Sequence, residues 1–273
     1  INNNSNGRTY IEYIKIDGRE LVDDNITPPN ATTLSAEVRA NPAAGISIIK
    51  ATSDSTDQLN RIAHGLGKEP EFIFTKNIEH GDNWFTFHKD AVNNNTGTTN
   101  KRQWLKFDDN SSGTGSSNST NYLWEHTNAT LGFNGALWVP SSASDDIMFY
   151  AFRSIPGYSK FGFYRGNAGN GGTDGVFVNL GFRPRLLIIK RADSGTSASW
   201  RIMDTERDTY NVAVQQMFAS DQDGNTTSTS NYSTDILSNG FKIRTNFVGM
   251  NGDNSRYIFA AWAENPFRTA RAR

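Results

Sequence analysis

The chain has 273 residues, enough for one large or two ordinary domains with a real core. Charged residues make up 20% and the formal net charge is -1, so no basic field exists to gather nucleic acid and no acidic excess marks a disordered tail. There is no cysteine, which excludes disulfides, thiolate metal sites and thiol nucleophiles together and leaves stability to burial or assembly.

In chain order, Ile1-Asn2-Asn3-Asn4 has neither an initiator Met nor the form of a signal peptide, as expected of a piece of a longer chain. Residues 10–17 read as a strand, Gly18 as a turn and Pro28-Pro29-Asn30 as a linker, so residues 1–44 form an N-terminal strand and linker, the end of a preceding domain. Ala36-Glu37-Val38-Arg39-Ala40 is the first of two helical candidates. Short blocks of β-branched and aromatic residues follow: Ile46-Ser47-Ile48-Ile49, Phe72-Ile73-Phe74, Trp84-Phe85-Thr86-Phe87, Ile147-Met148-Phe149-Tyr150, Leu186-Leu187-Ile188-Ile189 and Tyr257-Ile258-Phe259. These read as strands. Between them, residues 93–100, 110–121 and 223–231 are built almost wholly of Asn, Ser, Thr and Gly, which favour turns and supply no core. The second helical candidate, residues 211–219, reads equally well as a strand. No apolar run approaches the roughly 20 residues of a membrane-spanning helix, so no membrane insertion is expected. The class is all-β.

The strand blocks recur with the same punctuation. Leu66-Gly67-Lys68-Glu69-Pro70 and the strand ending at Lys76 match Leu180-Gly181-Phe182-Arg183-Pro184 and the strand ending at Lys190. Trp84 then pairs with Trp200, and the run ending in Pro156 pairs with the run ending in Pro266. Gly permits a sharp turn and Pro fixes φ just before each strand, so Gly67, Pro70, Trp84, Pro156, Gly181, Pro184, Trp200 and Pro266 mark architecture rather than chemistry. A spacing above about 100 residues is too long for a propeller blade and fits a complete sandwich. The expected organisation is two tandem β-sandwiches, lectin-like or jelly-roll-like, over residues 45–156 and 157–273.

Chemistry is harder to find. His64, His80, His88 and His126 lack the spacing of a metallohydrolase helix. His64 reads as a loop residue capping a backbone group, and His88 as a core edge or strand surface. Asp108-Asp109, Asp145-Asp146 and Asp204 with Glu206 could act as acid and base, yet Asp-rich turns are common in β proteins. Asp221-Gln222-Asp223-Gly224-Asn225 has alternating oxygen donors, but position 232 is Tyr where a calcium loop needs Glu, so a plain turn is expected. No catalytic, metal or cofactor site is assigned. Aromatics are 12% of residues, and Trp104, Tyr122, Trp124 and Trp138 beside polar loops are the candidate ligand-binding residues.

The segments Asn83-Trp84-Phe85-Thr86-Phe87-His88-Lys89, Ile155-Pro156-Gly157-Tyr158-Ser159-Lys160-Phe161-Gly162, Gly181-Phe182-Arg183-Pro184-Arg185-Leu186-Leu187-Ile188-Ile189-Lys190-Arg191, Leu237-Ser238-Asn239-Gly240-Phe241-Lys242-Ile243-Arg244 and Ala261-Trp262-Ala263-Glu264-Asn265-Pro266-Phe267 resemble a repeated module of virion structural proteins and tail-fibre-like proteins of tailed phages, many of them marine. The resemblance covers residues 45–273. It implies a virion protein without catalytic residues, in the distal part of a tail fibre or other external appendage, a homotrimer that meets other virion proteins and a host-surface glycan or protein. The alternatives are a head-decoration or tail-adaptor scaffold and a polysaccharide-cleaving, tailspike-type enzyme.

Overall fold

The computed structural model describes residues 2–3, 9–10, 15–16, 19–20, 34, 36–52, 59–81, 83–92, 102–108, 124–134, 145–168, 174–193, 198–220 and 224–265. Up to residue 20, and at 59, 92, 102–104, 124, 125 and 134, only the backbone is described. Two compact units result, Ile1–Ala31 and Thr32–Arg273.

The first unit contains two short antiparallel ladders, β1 (Asn2–Asn3) with β2 (Thr9–Tyr10) and β3 (Lys15–Ile16) with β4 (Arg19–Glu20). Of the expected strand over 10–17, Tyr10 pairs with Asn2 in the first ladder and Lys15–Ile16 form β3, while positions 11–14 and 17 lie outside the described residues.

The second unit is built almost entirely of antiparallel strands, and the all-β expectation holds. Its first half has β5 (Ala36–Asn41), β6 (Ile46–Thr52), β7 (Leu59–Ala63), β8 (Phe72–Asn77), β9 (Phe85–Val92), β10 (Arg102–Lys106), β11 (Trp124–His126), β12 (Thr130–Asn134) and β13 (Asp146–Phe152). The large sheet runs β10-β9-β8-β13-β6-β5 and the small one β11-β12-β7. The second half has β14 (Ser159–Arg165), β15 (Phe177–Asn179), β16 (Pro184–Arg191), β17 (Arg201–Asp204), β18 (Gln215–Phe218), β19 (Thr226–Thr227), β20 (Thr234–Leu237), β21 (Gly240–Ile243), the short helix α1 (Val248–Asn251) and β22 (Arg256–Ala263). Its large sheet runs β19-β18-β17-β16-β22-β14 and its small sheet β20-β21-β15. Leaving aside β5 and β19, each half threads its strands along the same path.

The matching loops are shaped alike. Gly67 and Gly181 hold φ of 69° and 83°, a region open to glycine at little cost, while Leu66 and Leu180 anchor each loop in its core. The closing lysines do corresponding work: Lys76 Nζ donates to the His80 carbonyl at 3.4 Å, and the buried Lys190 Nζ donates to the Ala198 carbonyl at 2.5 Å.

Alternation along the strands divides the apolar residues among three cores. Ile73, Phe87, Ile147 and Phe149 face the first small sheet, meeting Ile62, Leu131 and Phe133. Leu187, Ile189, Tyr257 and Phe259 face the second small sheet, meeting Ile236, Phe241 and Ile243. The opposite faces of the two large sheets meet each other through Phe72, Phe161, Ile188, Trp200, Ile258 and Ala260, flanked by Phe74, Phe107, Phe152 and Trp262. The halves are therefore two sandwiches stacked through a shared aromatic layer. Each large side chain fully buried there contributes about 1.5–3 kcal/mol.

Ala36-Glu37-Val38-Arg39-Ala40 is not a helix. It is β5, paired along its whole length with β6, because Ala36 and Val38 alternate inward onto the first core.

His88 is not at a core edge. It is fully buried between the halves, with Nε2 3.0 Å from the Phe259 carbonyl and Nδ1 accepting the Asp90 N–H at 3.1 Å. That pairing requires a neutral ring protonated on Nε2, and burial lowers its pKa to about 3. The unfolded chain binds this proton near pH 6.5, so the contribution of His88 is intact above that pH and is lost as pH falls towards 3, at up to about 1.4 kcal/mol per unit. Urea midpoints between pH 7 and pH 4 will fall for the native chain, and His88→Gln will remove part of that slope. An unchanged slope would show that His88 does not carry the acid sensitivity.

Candidate functional site

Where the aromatic layer stops filling the space between the two large sheets, it leaves an open cleft of about 910 Å³. This lies within the size range of ligand pockets. Phe74 from β8 and Phe152 from β13 form one wall, and Leu186 and Ile188 from β16, Ile202 from β17 and Trp262 from β22 form the other. These side chains point outward from their own sandwiches, so the period-two pattern that builds the strands also aims them into the gap.

Phe107 sits edge-on to Phe74 with ring centroids 4.7 Å apart, and lies 5.3 Å from Trp200. Trp262 meets Phe152 edge-on at 5.6 Å. Trp200 Nε1 donates to the Lys106 carbonyl at 2.8 Å, tying the second half to the end of β10 just before Phe107. The aromatic lining is thus positioned from both halves.

The mouth is mixed. Trp84 is 37% exposed, and its backbone is clamped by Phe107 N–H on its carbonyl and by Asp108 Oδ2, which accepts the Trp84 N–H at 3.2 Å. Tyr158 joins the lining from the crossover between β13 and β14, where Gly157 adopts φ of 76°. On the opposite side Arg185 is paired with Glu206 and lies 3.8 Å from Glu264, which also bonds Arg183 at 2.8 Å. Asp108 and Glu264 against Arg185 leave the lining at a formal charge of -1.

Tyr122 and Trp138 fall outside the described residues, and Trp104 and Trp124 lie on β10 and β11 with only their backbones described. Among the described residues the lining aromatics include Trp84, marked in the sequence as architectural, with Phe74, Phe107, Tyr158 and Trp262. Its counterpart Trp200 is 1% exposed in the layer. The available signal was that Phe74, Leu186, Ile188, Ile202 and Trp262 occupy strand positions that would face water if each sandwich stood alone.

The other candidates are engaged locally. His64 accepts the Leu66 N–H through Nδ1 and bonds the Thr127 carbonyl through Nε2, as a loop cap. Asp204 accepts the Glu206 and Arg207 N–H groups and pairs with Arg207. Asp145 meets Asn77 and His80, while Asp146 meets Lys50 and Thr52. Positions 221–223 of the acidic turn lie outside the described residues. Among the described residues no group of three or more His, Asp or Glu could hold a metal, and no helix is long and apolar enough to cross a membrane. Arg201 is buried beneath Phe218, Tyr232 and Phe247, 5.0–5.3 Å from their ring centroids, and bonded to Gln216 Oε1. Burial lowers its pKa, and the cage serves the second core.

Residues 2–266 match the family described as Domain of unknown function (DUF7483). The chain belongs to that family. No curated protein and no solved structure matches it.

A neutral apolar dye such as Nile red will brighten on binding the folded DUF7483 chain. Ala219 also lines the cleft, and Ala219→Trp, which fills the space, will lower that signal at least about fivefold in a chain whose circular dichroism shows it still folded, because the loss is one of apolar space. An undiminished signal would place the dye elsewhere.

Proposed function

We propose that this chain is a non-catalytic structural component of a tailed-phage particle, in the distal, host-facing part of a tail fibre or similar appendage, assembled as a homotrimer. The observation that carries this reading is a stiff body of two stacked sandwiches with an aromatic cleft open at their junction. A rigid β scaffold that presents loops and a concave aromatic surface suits attachment. The shared strand path supports reading the halves as two copies of one module, the arrangement implied by the phage-module resemblance. The local engagement of Asp145, Asp146 and Asp204 favours binding over acid–base chemistry.

The test is fluorescent labelling of the purified chain, with its mass measured in solution, followed by binding to phage-sensitive and phage-resistant bacteria. Selective staining of sensitive cells by a trimer is expected. A stable oligomer that stains no cells would move the protein to a head-decoration or tail-adaptor role, and cleavage of capsule or lipopolysaccharide would establish the tailspike-type enzyme.

A further inference from the structure

The geometry points to an occupant for the cleft: a stretch of partner polypeptide in which an aromatic side chain is followed by a basic one. This deepens the proposed function and rests on it, since a particle component has protein subunits and host-surface proteins for neighbours.

Phe74, Phe107, Phe152, Ile188, Ile202 and Trp262 offer apolar and aromatic surface, and among the described lining residues no convergent set of hydrogen-bonding groups reaches the interior. A glycan needs such groups for its hydroxyls, so the walls select an apolar or aromatic insert. Rings entering here can pack edge-on or offset against Phe107 and Trp262, the arrangements these residues already adopt with Phe74 and Phe152.

The mouth then selects the sign of charge. Arg185 is matched by Glu206 and Glu264, so its charge is already compensated. Asp108 is exposed, and among the described residues its carboxylate has no cation partner, with only the Trp84 N–H on it. Beside it the half-exposed Trp84 ring can receive a cation on its π face. An acyl chain with an anionic headgroup would set like charges together, whereas an Arg or Lys beside the inserted ring meets both Asp108 and Trp84.

The probes are two dye-labelled peptides, acetyl-Ser-Phe-Arg-Ser-amide and acetyl-Ser-Phe-Glu-Ser-amide, titrated into the full chain and followed by fluorescence polarisation. The Arg peptide is expected to bind at least about tenfold more tightly than the Glu peptide, with the preference shrinking as salt rises. Asp108→Asn should weaken the Arg peptide about fivefold, as loss of a charge pair at a partly open site would, and leave a Phe-Gln analogue within about twofold. Trp84→Ala should weaken the Arg and Gln peptides together, and an unchanged melting curve in each variant separates binding from folding. Equal binding of the Arg and Glu peptides, or indifference to Asp108→Asn, would overturn the proposal. So would displacement by dodecanoate or an oligosaccharide but not by unlabelled Arg peptide, which would make the cleft a lipid or glycan site. Cell staining that persists without peptide selectivity sinks this inference alone; peptide selectivity without cell staining sinks the attachment reading alone.

Discussion

The contact on which the rest of this structure depends is the one between the outward faces of the two large sheets. Phe72 is its hub, with ring centroids of Phe74, Phe161, Trp200 and Trp262 at 4.5–6.4 Å and all but Phe161 edge-on or tilted. Rings in these orientations gain electrostatic complementarity beyond the area they bury. The layer supplies what a cysteine-free chain lacks in cross-links, and it explains why the central strands are apolar on both faces. In β22, Tyr257, Phe259 and Ala261 serve the second sandwich while Ile258, Ala260 and Trp262 serve the layer. A half standing alone would expose that second set.

Polar groups inside the layer are correspondingly constrained. His88 crosses from β9 to the Phe259 carbonyl of the other half, and Trp200 crosses back to the Lys106 carbonyl. Each joins one donor to one acceptor across the gap, so together they fix how the sheets register. Their cost is sensitivity to conditions: a neutral imidazole in an apolar layer is tolerated only while the ring stays unprotonated.

Much of this was legible in the sequence. The strand blocks at 46–49, 72–74, 147–150, 186–189 and 257–259 all lie within strands, because β-branched and aromatic runs bounded by Gly, Pro and Asn have few other solutions. Local pattern failed where the outcome depended on a distant partner. Residues 36–40 carry a pattern compatible with a helix, and only the open edge of β6 turns them into a strand. Trp84 and Trp200 occupy corresponding places, yet one borders the cleft and the other lies in the layer. What separates them is the covering surface supplied by the other half, and no window of sequence contains that surface. The same blindness hid the aromatics that line the cleft, which sit mostly on strands.

The cleft lies where the layer of rings between the two large sheets ends. Along the contact the gap is closed by Phe72, Phe161 and Trp200; away from it Phe74, Phe152, Ile188 and Trp262 remain without a full complement of neighbours. A cavity formed in this way is held open by the packing that stabilises the fold, so little conformational entropy is left to lose when it is filled. Filling it also recovers apolar contact left unmade at the end of the layer. Affinity and fold stability therefore draw on one layer of side chains, and a change within the layer will alter both, whereas a change at the mouth, at Trp84 or Asp108, can alter binding alone.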